Sequence, residues 1–325
     1  MKAITYRGFG AAADVLELVD LPTPNPGPGD VLVRVHASGI NPSDVKLRGG
    51  ARPGAVMQYP MVVPHSDGAG VIEAVGEGVD PARVGERVWI WNGQWQRAFG
   101  TGAEYIALPS EQAVFLPDTT GFAEGACFGI PALTAWYALY CDGPITDQTV
   151  LVTGGAGTVG RYACQMAALG GARVITTVSS DEKAAHSGAS EWINYRTQDV
   201  AEAAMDMTNG AGIDRIVEVD FAANQPASLS MIRPGGTIAS YASASQMKPE
   251  LDFYGFMFKN IRLHMLIVYQ LDAAARRRGE AQLGQWLEQG ALSHAVVPGG
   301  GLMDAANAHA MVEAGQKLGT VVLEV

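Results

Sequence analysis

The chain has 325 residues, enough for about two domains at ~150 residues each and too many for a peptide fragment or a disulfide-held miniprotein. Its 48% hydrophobic and 17% charged residues describe a chain that buries a core, which excludes disorder. Acidic residues outnumber basic ones 33 to 22, a net charge of -11, and that sign is wrong for gripping a phosphate backbone, so nucleic acid is not expected as a partner.

From the N-terminus the chain reads as β-rich. Short apolar or alternating runs at 3–6, 15–19, 31–37, 70–75, 87–91 and 103–108 are set apart by turn clusters such as Pro22-Thr23-Pro24-Asn25-Pro26-Gly27-Pro28-Gly29. No helical period is evident among them. The run 124–139 then predicts a long apolar helix that Pro131 should kink or interrupt. Beyond it strands and helices alternate. Strands are expected at 150–153, 173–178, 192–195, 214–219, 236–241 and 261–269, and helices at 159–169, from Asp181, at 200–207 and at 223–231. Repeated βα units with strands this apolar imply a parallel sheet covered on both faces. A helix over 272–288 and a strand over 321–325 end the pattern, and the triplet Arg276, Arg277 and Arg278 reads as a solvated face of that helix.

Cys127, Cys141 and Cys164 are the cysteines, an odd number without a CxxC pair. They exclude a disulfide framework and an all-cysteine metal site and fit a reducing compartment. The opening MKAITYRGFG lacks the apolar stretch of a secretion signal, and no run of ~18 apolar residues occurs. A cytoplasmic protein without a membrane partner is expected.

The sharpest local signal is Val150-Leu151-Val152-Thr153-Gly154-Gly155-Ala156-Gly157-Thr158-Val159-Gly160. Gly155, Gly157 and Gly160 keep GxGxxG spacing between an apolar strand and a helix, the context in which that spacing binds a dinucleotide. Glycine lets the backbone turn tightly and approach a pyrophosphate, which rests on the positive helix end. Gly155, Ala156, Gly157, Thr158 and Val159 are the expected contacts, a purely structural glycine turn being the alternative. The end of the second strand selects the dinucleotide. An NAD site would carry a carboxylate there for the ribose hydroxyls, whereas this chain has Ser179, Ser180 and, one turn on, Lys183. Hydroxyls and an ammonium suit a 2′-phosphate. NADPH is therefore expected, with NADH or indifference as the alternative; Asp181 and Glu182 read as serving the first helical turn.

Several stretches now add up to a resemblance. Gly39-Ile40-Asn41-Pro42-Ser43-Asp44, Asp67-Gly68-Ala69-Gly70-Val71-Ile72-Glu73-Ala74-Val75-Gly76, Gly85-Glu86-Arg87-Val88, Ala103-Glu104-Tyr105, Ala132-Leu133-Thr134-Ala135-Trp136, the glycine turn, residues 179–183 and Ile193-Asn194-Tyr195 are similar to the zinc-free branch of the medium-chain dehydrogenase/reductase superfamily. Within it the chain resembles the NADPH:quinone oxidoreductases of the zeta-crystallin type. The resemblance implies an α/β fold with a GroES-like β-rich domain, 1–122 plus 270–325, and an inserted Rossmann domain with a doubly wound parallel sheet, 123–269. It also implies a homodimer. The apolar run 261–269 gives the homodimer a physical basis, because an apolar strand at a sheet edge must be covered or paired.

The same resemblance bears on metal. Zinc-bearing relatives place a cysteine in the segment that here reads Ile40-Asn41-Pro42 and a His-Glu pair where this chain has Ser66-Asp67. His65 is one position early, Cys127 lies far along the chain, and a catalytic zinc needs three protein ligands. No metal is expected, and His65 is expected in a hydrogen-bonded structural or pocket role.

What the resemblance implies for activity is hydride transfer from NADPH to a small-molecule acceptor, a quinone or a conjugated carbonyl. Asn41, Pro42 and Asp44 carry the matching motif, with Asn41 and Thr134 at the nicotinamide ribose and phosphates. Tyr195 is implied beside the adenosine phosphate, Tyr241 with Leu266, Ile267 and Val268 around the nicotinamide, and Gly319 through its backbone. Lys46 stands where many quinone reductases of this type carry tyrosine. A lysine can steady an enolate oxygen, or as a loop residue bond cofactor ribose or solvent, so Lys46, Asn41 and Tyr59 are the expected catalytic contacts and an enone, enal or 2-substituted acrylate reductase is the alternative enzyme. Tyr59 and the aromatic segment Trp89, Trp91, Trp95 and Phe99 are candidate walls for a ring-shaped acceptor, with plain packing as the default for the tryptophans. A cofactor-sensing or storage protein with little turnover is the third possibility, since fold does not decide function.

Overall fold

The structure is a computed structural model and describes residues 1–51, 54–315 and 317–325. Two compact units divide the chain, Met1–Ile130 with Glu280–Val325, and Pro131–Gly279.

In the first unit β1 (Lys2–Thr5) and β2 (Glu17–Asp20) pair antiparallel around the one-turn helix α1 (Ala12–Val15). Then come β3 (Asp30–Ile40), α2 (Pro42–Arg48), β4 (Asp67–Val75), β5 (Arg87–Ile90), β6 (Tyr105–Pro109), β7 (Ala113–Phe115) and α3 (Phe122–Gly125). β3 shows why this region folds as sheet. Val31, Val33 and Val35 are buried while Arg34 is exposed, the period of two that places alternate side chains in a core with Ile72, Val88, Ile90 and Ile106.

The second unit holds α4 (Leu133–Tyr140), β8 (Thr149–Val152), α5 (Thr158–Leu169), β9 (Arg173–Val178), α6 (Asp181–Ser187), β10 (Glu191–Asn194), α7 (Val200–Met207), β11 (Ile213–Glu218), α8 (Phe221–Met231), β12 (Ile232–Ser240), α9 (Phe253–Phe258) and β13 (Arg262–Met265). The strands form a parallel sheet of order β10-β9-β8-β11-β12-β13. Leu151, Ile175, Ile193, Ile213, Ile216 and Ile238 fill its core, so its strands are apolar throughout rather than alternating.

α10 (Ala273–Glu288) leads to β14 (Val296–Gly301), α11 (Ala305–Ala314) and β15 (Thr320–Glu324). β15 pairs antiparallel with β3, Val321 opposite Ile40, so the larger sheet of the first unit runs β14-β15-β3-β4-β5-β7 with β6 also on β3. The C-terminal segment thereby completes the sheet that the N-terminal segment began.

Several expectations are corrected. The run 15–19 is split, its first residue ending α1 and its last three lying in β2. The β-rich part also contains α2, which is too short for a hydrophobic period but carries its start signals in full. Asn41 is at the cap, Pro42 in the first turn, and the Asp44 carboxylate accepts the Asn41 N–H at 2.7 Å. The helix over 124–139 is broken as Pro131 demands, into α3, a wide π-type turn at Phe128–Ala132, and α4. The edge strand expected over 261–269 is only β13, because β12 ends at Ser240 and the Leu266 N–H to Ser240 O bond is the last rung it can offer. α9 and α11 were not expected; α9 is six residues, four of them aromatic, with Phe253, Tyr254 and Phe258 exposed.

Candidate functional site

The dinucleotide end of the site is built by backbone. β8 stops at Val152, Gly154 takes a left-handed φ of +68°, and α5 starts behind Gly157. A Cβ on Gly155 would lie 1.9 Å from Thr176 Oγ1, and one on Gly160 2.3 Å from Gly154 O. Any side chain at either position would push the turn off β9 or α5 off the turn. The N–H groups of Gly154 and Gly155 donate to Thr177 Oγ1 and Thr177 O at 3.0 and 3.2 Å, which ties the turn to β9. The first N–H groups of α5 have no acceptor within the helix, the arrangement that binds a pyrophosphate. A dinucleotide pyrophosphate therefore fits the cradle that residues 155–159 form.

A buried carboxyl steadies the strand that leads into the turn. Glu218, at the end of β11, accepts from Thr153 Oγ1 at 3.1 Å, Asn224 Nδ2 at 2.8 Å and the Asp220 N–H at 2.6 Å. Burial pushes this carboxyl up, and burial followed by the Glu218 charge pushes the Tyr241 hydroxyl up beside it. Tyr241 and Glu218 are joined through backbone, Tyr241 N–H to Glu218 O at 3.2 Å. Leu266 lies near the same end of the sheet through its bond to Ser240. Ile267 is 46% exposed, whereas Val268 is 3% exposed and packs inside its unit with its carbonyl accepting from Arg276.

At the end of β9, Ser179 is nearly buried and Ser180 caps α6, its hydroxyl accepting the Lys183 N–H at 3.3 Å and keeping its own proton to donate. Lys183 is half-buried; Asp181 and Glu182 are exposed in the first turn of α6. The Tyr195 N–H donates to Val178 O at 3.1 Å, so Tyr195 joins Ser179, Ser180 and Lys183 at one end of the sheet. Thr134 is 5% exposed in the first turn of α4. Gly319, at φ +134°, is a glycine for close approach, since a Cβ there would lie 2.3 Å from Ala295 O. Lys317, whose ammonium burial pushes down, donates to Gly319 O at 2.7 Å.

The first unit assembles a different kind of site. The Asn41 side chain donates to Asp67 Oδ2 at 2.7 Å, and Asp44 holds the Asn41 N–H as described above. Asp44 and Asp67 are both buried; burial pushes Asp44 up to about 7 and raises Asp67 well above the usual carboxyl range. Pro42 and Lys46 are exposed on α2, and the Lys46 ammonium makes no hydrogen bond or ion pair among the described residues. Tyr59 is half-buried in the loop that leads to His65. Trp89 is buried in β5 and Trp91 is buried just after it, as plain packing expects, while Phe99 is 44% exposed.

His65 is fully buried at φ +78°, its Nδ1 2.8 Å from Ser38 Oγ and its Nε2 2.8 Å from His309 Nε2. The protons can be placed. Thr101 Oγ1 gives its proton to Asp67 O at 2.6 Å, so Ser38 must donate to Thr101 across their 2.9 Å contact. Ser38 then accepts from His65 Nδ1, and His65 Nε2 accepts from His309. Both ring nitrogens of His65 are thereby committed to protein partners. His309 was not singled out in the sequence: it enters from α11, 244 residues away from His65, and no local pattern marks it.

A zinc does not fit this donor set. His65 is committed as above, Asp67 accepts from Asn41 and from the Ile130 N–H, and Cys127 is turned onto Ala123 O at 3.3 Å with burial pushing its thiol up to about 12. Among the described residues no group of three His, Cys, Asp or Glu converges as a metal site.

Comparison with known proteins places this geometry. Residues 27–118 match the family model of the alcohol dehydrogenase GroES-like domain, and residues 158–285 match the model described as zinc-binding dehydrogenase. A quinone oxidoreductase of Sus scrofa is 30% identical over 316 residues, 95% of this chain and 93% of that protein. A mycobacterial structure complexed with NADPH is 31% identical and superposes with a TM-score of 0.86, covering 100% of both chains. The structure of a 2-haloacrylate reductase is 27% identical, with a TM-score of 0.86 over 100% of this chain and 99% of that one. Likeness over 95% of this chain and 93% of the relative, with both family models matched, makes this chain a member of the quinone oxidoreductase family within the medium-chain dehydrogenase/reductase superfamily.

Proposed function

We propose that the chain is an NADPH-dependent reductase of quinones that works without a catalytic zinc. The observation that carries this reading is the end of β9, where Ser179, Ser180 and Lys183 stand in place of a ribose-binding carboxylate beside a turn that only glycine can make. The mycobacterial relative complexed with NADPH and the relatives named quinone oxidoreductase support it. Bound NADPH would supply the hydride. The chain's own task is then to hold donor and acceptor and to exclude water. Gly155 to Val159 seat the pyrophosphate, Ser179, Ser180, Lys183 and Tyr195 hold the adenosine end, and Thr134, Tyr241, Leu266, Ile267 and Gly319 serve the nicotinamide end. Asn41 is a further cofactor contact, with Pro42 and Asp44 setting the start of α2. A quinone oxygen needs no strong acid, which fits a site where Asp44 and Asp67 are buried and hydrogen-bonded within the protein.

We also place the protein in the cytoplasm as a homodimer. Its three cysteines are free, as a reducing compartment keeps them, and among the described residues no helix is long and apolar enough to cross a membrane. β13 ends the sheet with one edge open, and pairing with β13 of a second copy would close it.

A second reading, reduction of a conjugated carbonyl or 2-substituted acrylate, is favoured by Lys46. Its ammonium is exposed, makes no hydrogen bond or ion pair among the described residues and lies five residues from Asn41, so it is available to an enolate or carboxylate oxygen. Steady-state oxidation of NADPH against a panel of quinones, enals and substituted acrylates decides between them. Faster turnover of quinones is expected; preference for the acrylates would transfer the function to the second reading, and tight NADPH binding with no turnover would indicate a sensor or storage role.

A further inference from the structure

The strand order of the second unit, β10-β9-β8-β11-β12-β13, reverses between β8 and β11, and the ligands of such sheets lie across the crevice at that reversal. Glu218 is the last residue of β11 and stands at this crevice. Its Oε1 lies 3.1 Å from Thr153 Oγ1, one residue past the end of β8, so the carboxyl bridges the two strands that flank the reversal. It is fully buried. Its two oxygens have unequal surroundings. Besides Thr153, Oε1 meets the Asp220 N–H at 2.6 Å and the Asn224 amide at 2.8 Å, whereas Oε2, equally buried, has no partner among the described residues.

An ionised carboxylate spreads its charge over both oxygens, and leaving one of them bare inside a protein is costly. A proton on Oε2 removes that cost. Oε1 is not the place for it, because the Asp220 N–H is backbone, cannot turn round, and needs an acceptor there. Burial pushes the carboxyl in the same direction. The titratable groups around it are Asp220, Tyr241 and, on α5, Cys164. The Asp220 carboxylate accepts from the Ser245 N–H and hydroxyl, and burial pushes up both the Tyr241 hydroxyl and the Cys164 thiol. In a doubly wound sheet each half takes one nucleotide. The glycine turn, Ser179, Ser180 and Lys183 belong to the half led by β8, so the nicotinamide nucleotide falls to the half led by β11, where Glu218 stands. A reduced nicotinamide ring is neutral and an oxidised one is positive, and in a buried place a positive charge favours the ionised form of a nearby carboxyl.

We propose that Glu218 keeps a proton while the site holds NADPH and releases it when the site holds NADP⁺, so that its charge answers the charge of the nicotinamide. The inference rests on the reading of this unit as the dinucleotide site, and it needs nothing from the other unit. As the hydride passes with its electron pair to the acceptor, the Oε2–H bond of Glu218 breaks, its electron pair stays on Oε2 and its proton leaves to solvent. The acceptor oxygen takes its proton from water, and Glu218 regains one when NADPH replaces NADP⁺. The carboxylate formed in between stabilises the oxidised cofactor and so favours hydride donation.

Dissociation constants of NADP⁺ and NADPH test it, measured by nucleotide titration between pH 6 and pH 8 on full-length wild type and Glu218→Gln, with thermal melting of each. The 2′-phosphate titrates in both nucleotides, so their ratio cancels it. Binding that releases a proton tightens as pH rises. In wild type, NADP⁺ should therefore gain on NADPH by about five- to tenfold over this range, inside the limit of about tenfold per pH unit that a single proton sets. Glu218→Gln copies the shape of the neutral acid, and its ratio should not change with pH. A flat ratio in wild type, or the same slope in both proteins, would overturn the proposal. Failure of wild type to bind either nucleotide would overturn the dinucleotide reading and this inference together. Preference for NADH would overturn only the 2′-phosphate reading, and the ratio of NAD⁺ to NADH then gives the same test. Should Glu218→Gln fail to fold, infrared difference spectra of wild type with isotope-labelled glutamate decide. The neutral-carboxyl band should be weaker with NADP⁺ than with NADPH, and an equal band in both complexes would contradict the proposal.

Discussion

The glycine turn of the dinucleotide-binding unit and the polar cluster of the GroES-like unit reach a defined geometry by opposite routes. The turn is made of consecutive residues, 154–160, and its constraints are steric: a Cβ at Gly155 or Gly160 meets an atom within 2.3 Å. The cluster is made of Ser38, Asn41, His65, Asp67, Thr101 and His309, and its constraints are hydrogen bonds among buried groups. One region is fixed by what it excludes, the other by what it satisfies. A steric site tolerates no added atom, whereas a satisfied network tolerates no lost partner.

Substitutions in the two regions should therefore fail differently. The largest effect is expected from Gly160→Ala, whose methyl group would meet Gly154 O. Overpacking strain of about 1–3 kcal/mol, falling on the turn that seats the pyrophosphate, should weaken NADPH by about five- to 160-fold, read by nucleotide titration. Wild-type affinity would break the steric reading of the turn. Next is Lys183→Ala. Loss of a charge-assisted bond worth about 1.5–3 kcal/mol should raise KM for NADPH by roughly ten- to a hundredfold and leave KM for NADH nearly unchanged. Equal effects on both cofactors would remove the 2′-phosphate from this end of β9.

The network is probed by pH. Burial, then the nearby Arg48 charge, pushes His309 down to about 4, and burial pushes His65 well below its usual 6.5. In the unfolded chain these imidazoles take up protons near pH 6.5, while the folded chain keeps them neutral. The stability His309 contributes is therefore complete above pH 6.5 and is lost as pH falls toward about 4, by about 1.4 kcal/mol per pH unit, and that of His65 is lost in the same direction. Asp44, pushed up to about 7, has the opposite slope, its contribution falling as pH rises from 3.8 to about 7. Only the difference between proteins isolates the histidines. Melting curves of wild type and His309→Gln between pH 7 and pH 5 should converge as pH falls, and parallel curves would show that the pair does not titrate with unfolding. The smallest effect is expected from Lys46→Met, which should lower kcat/KM for conjugated carbonyls by about fivefold to tenfold and spare quinones. Equal effects on both acceptors would sharpen the role of Lys46 toward cofactor binding.

The same contrast explains what the sequence made legible. The βα alternation, the break at Pro131, the glycine turn and the residues at the end of β9 were readable because each depends on neighbours in sequence. Helix 200–207 was placed to the residue. α9 escaped because four aromatics in six positions carry no amphipathic period, and the strand expected at 261–269 ran too long because its end is set by β12, not by its own residues. Asp67 stood in a motif already noted, yet its partner Asn41 is 26 positions away and His309 lies 244 positions from His65. Nothing in a single sequence pairs such residues. Gly129 was the nearest thing to a signal, a glycine in an otherwise apolar run whose reason is a carboxylate from another strand.

The most direct measurement is NADPH–quinone turnover of protein treated with a strong chelator, with metal content determined on the same sample. Hydride transfer by placement alone predicts undiminished turnover at substoichiometric metal. Turnover that disappears with the metal and returns on adding zinc would contradict it.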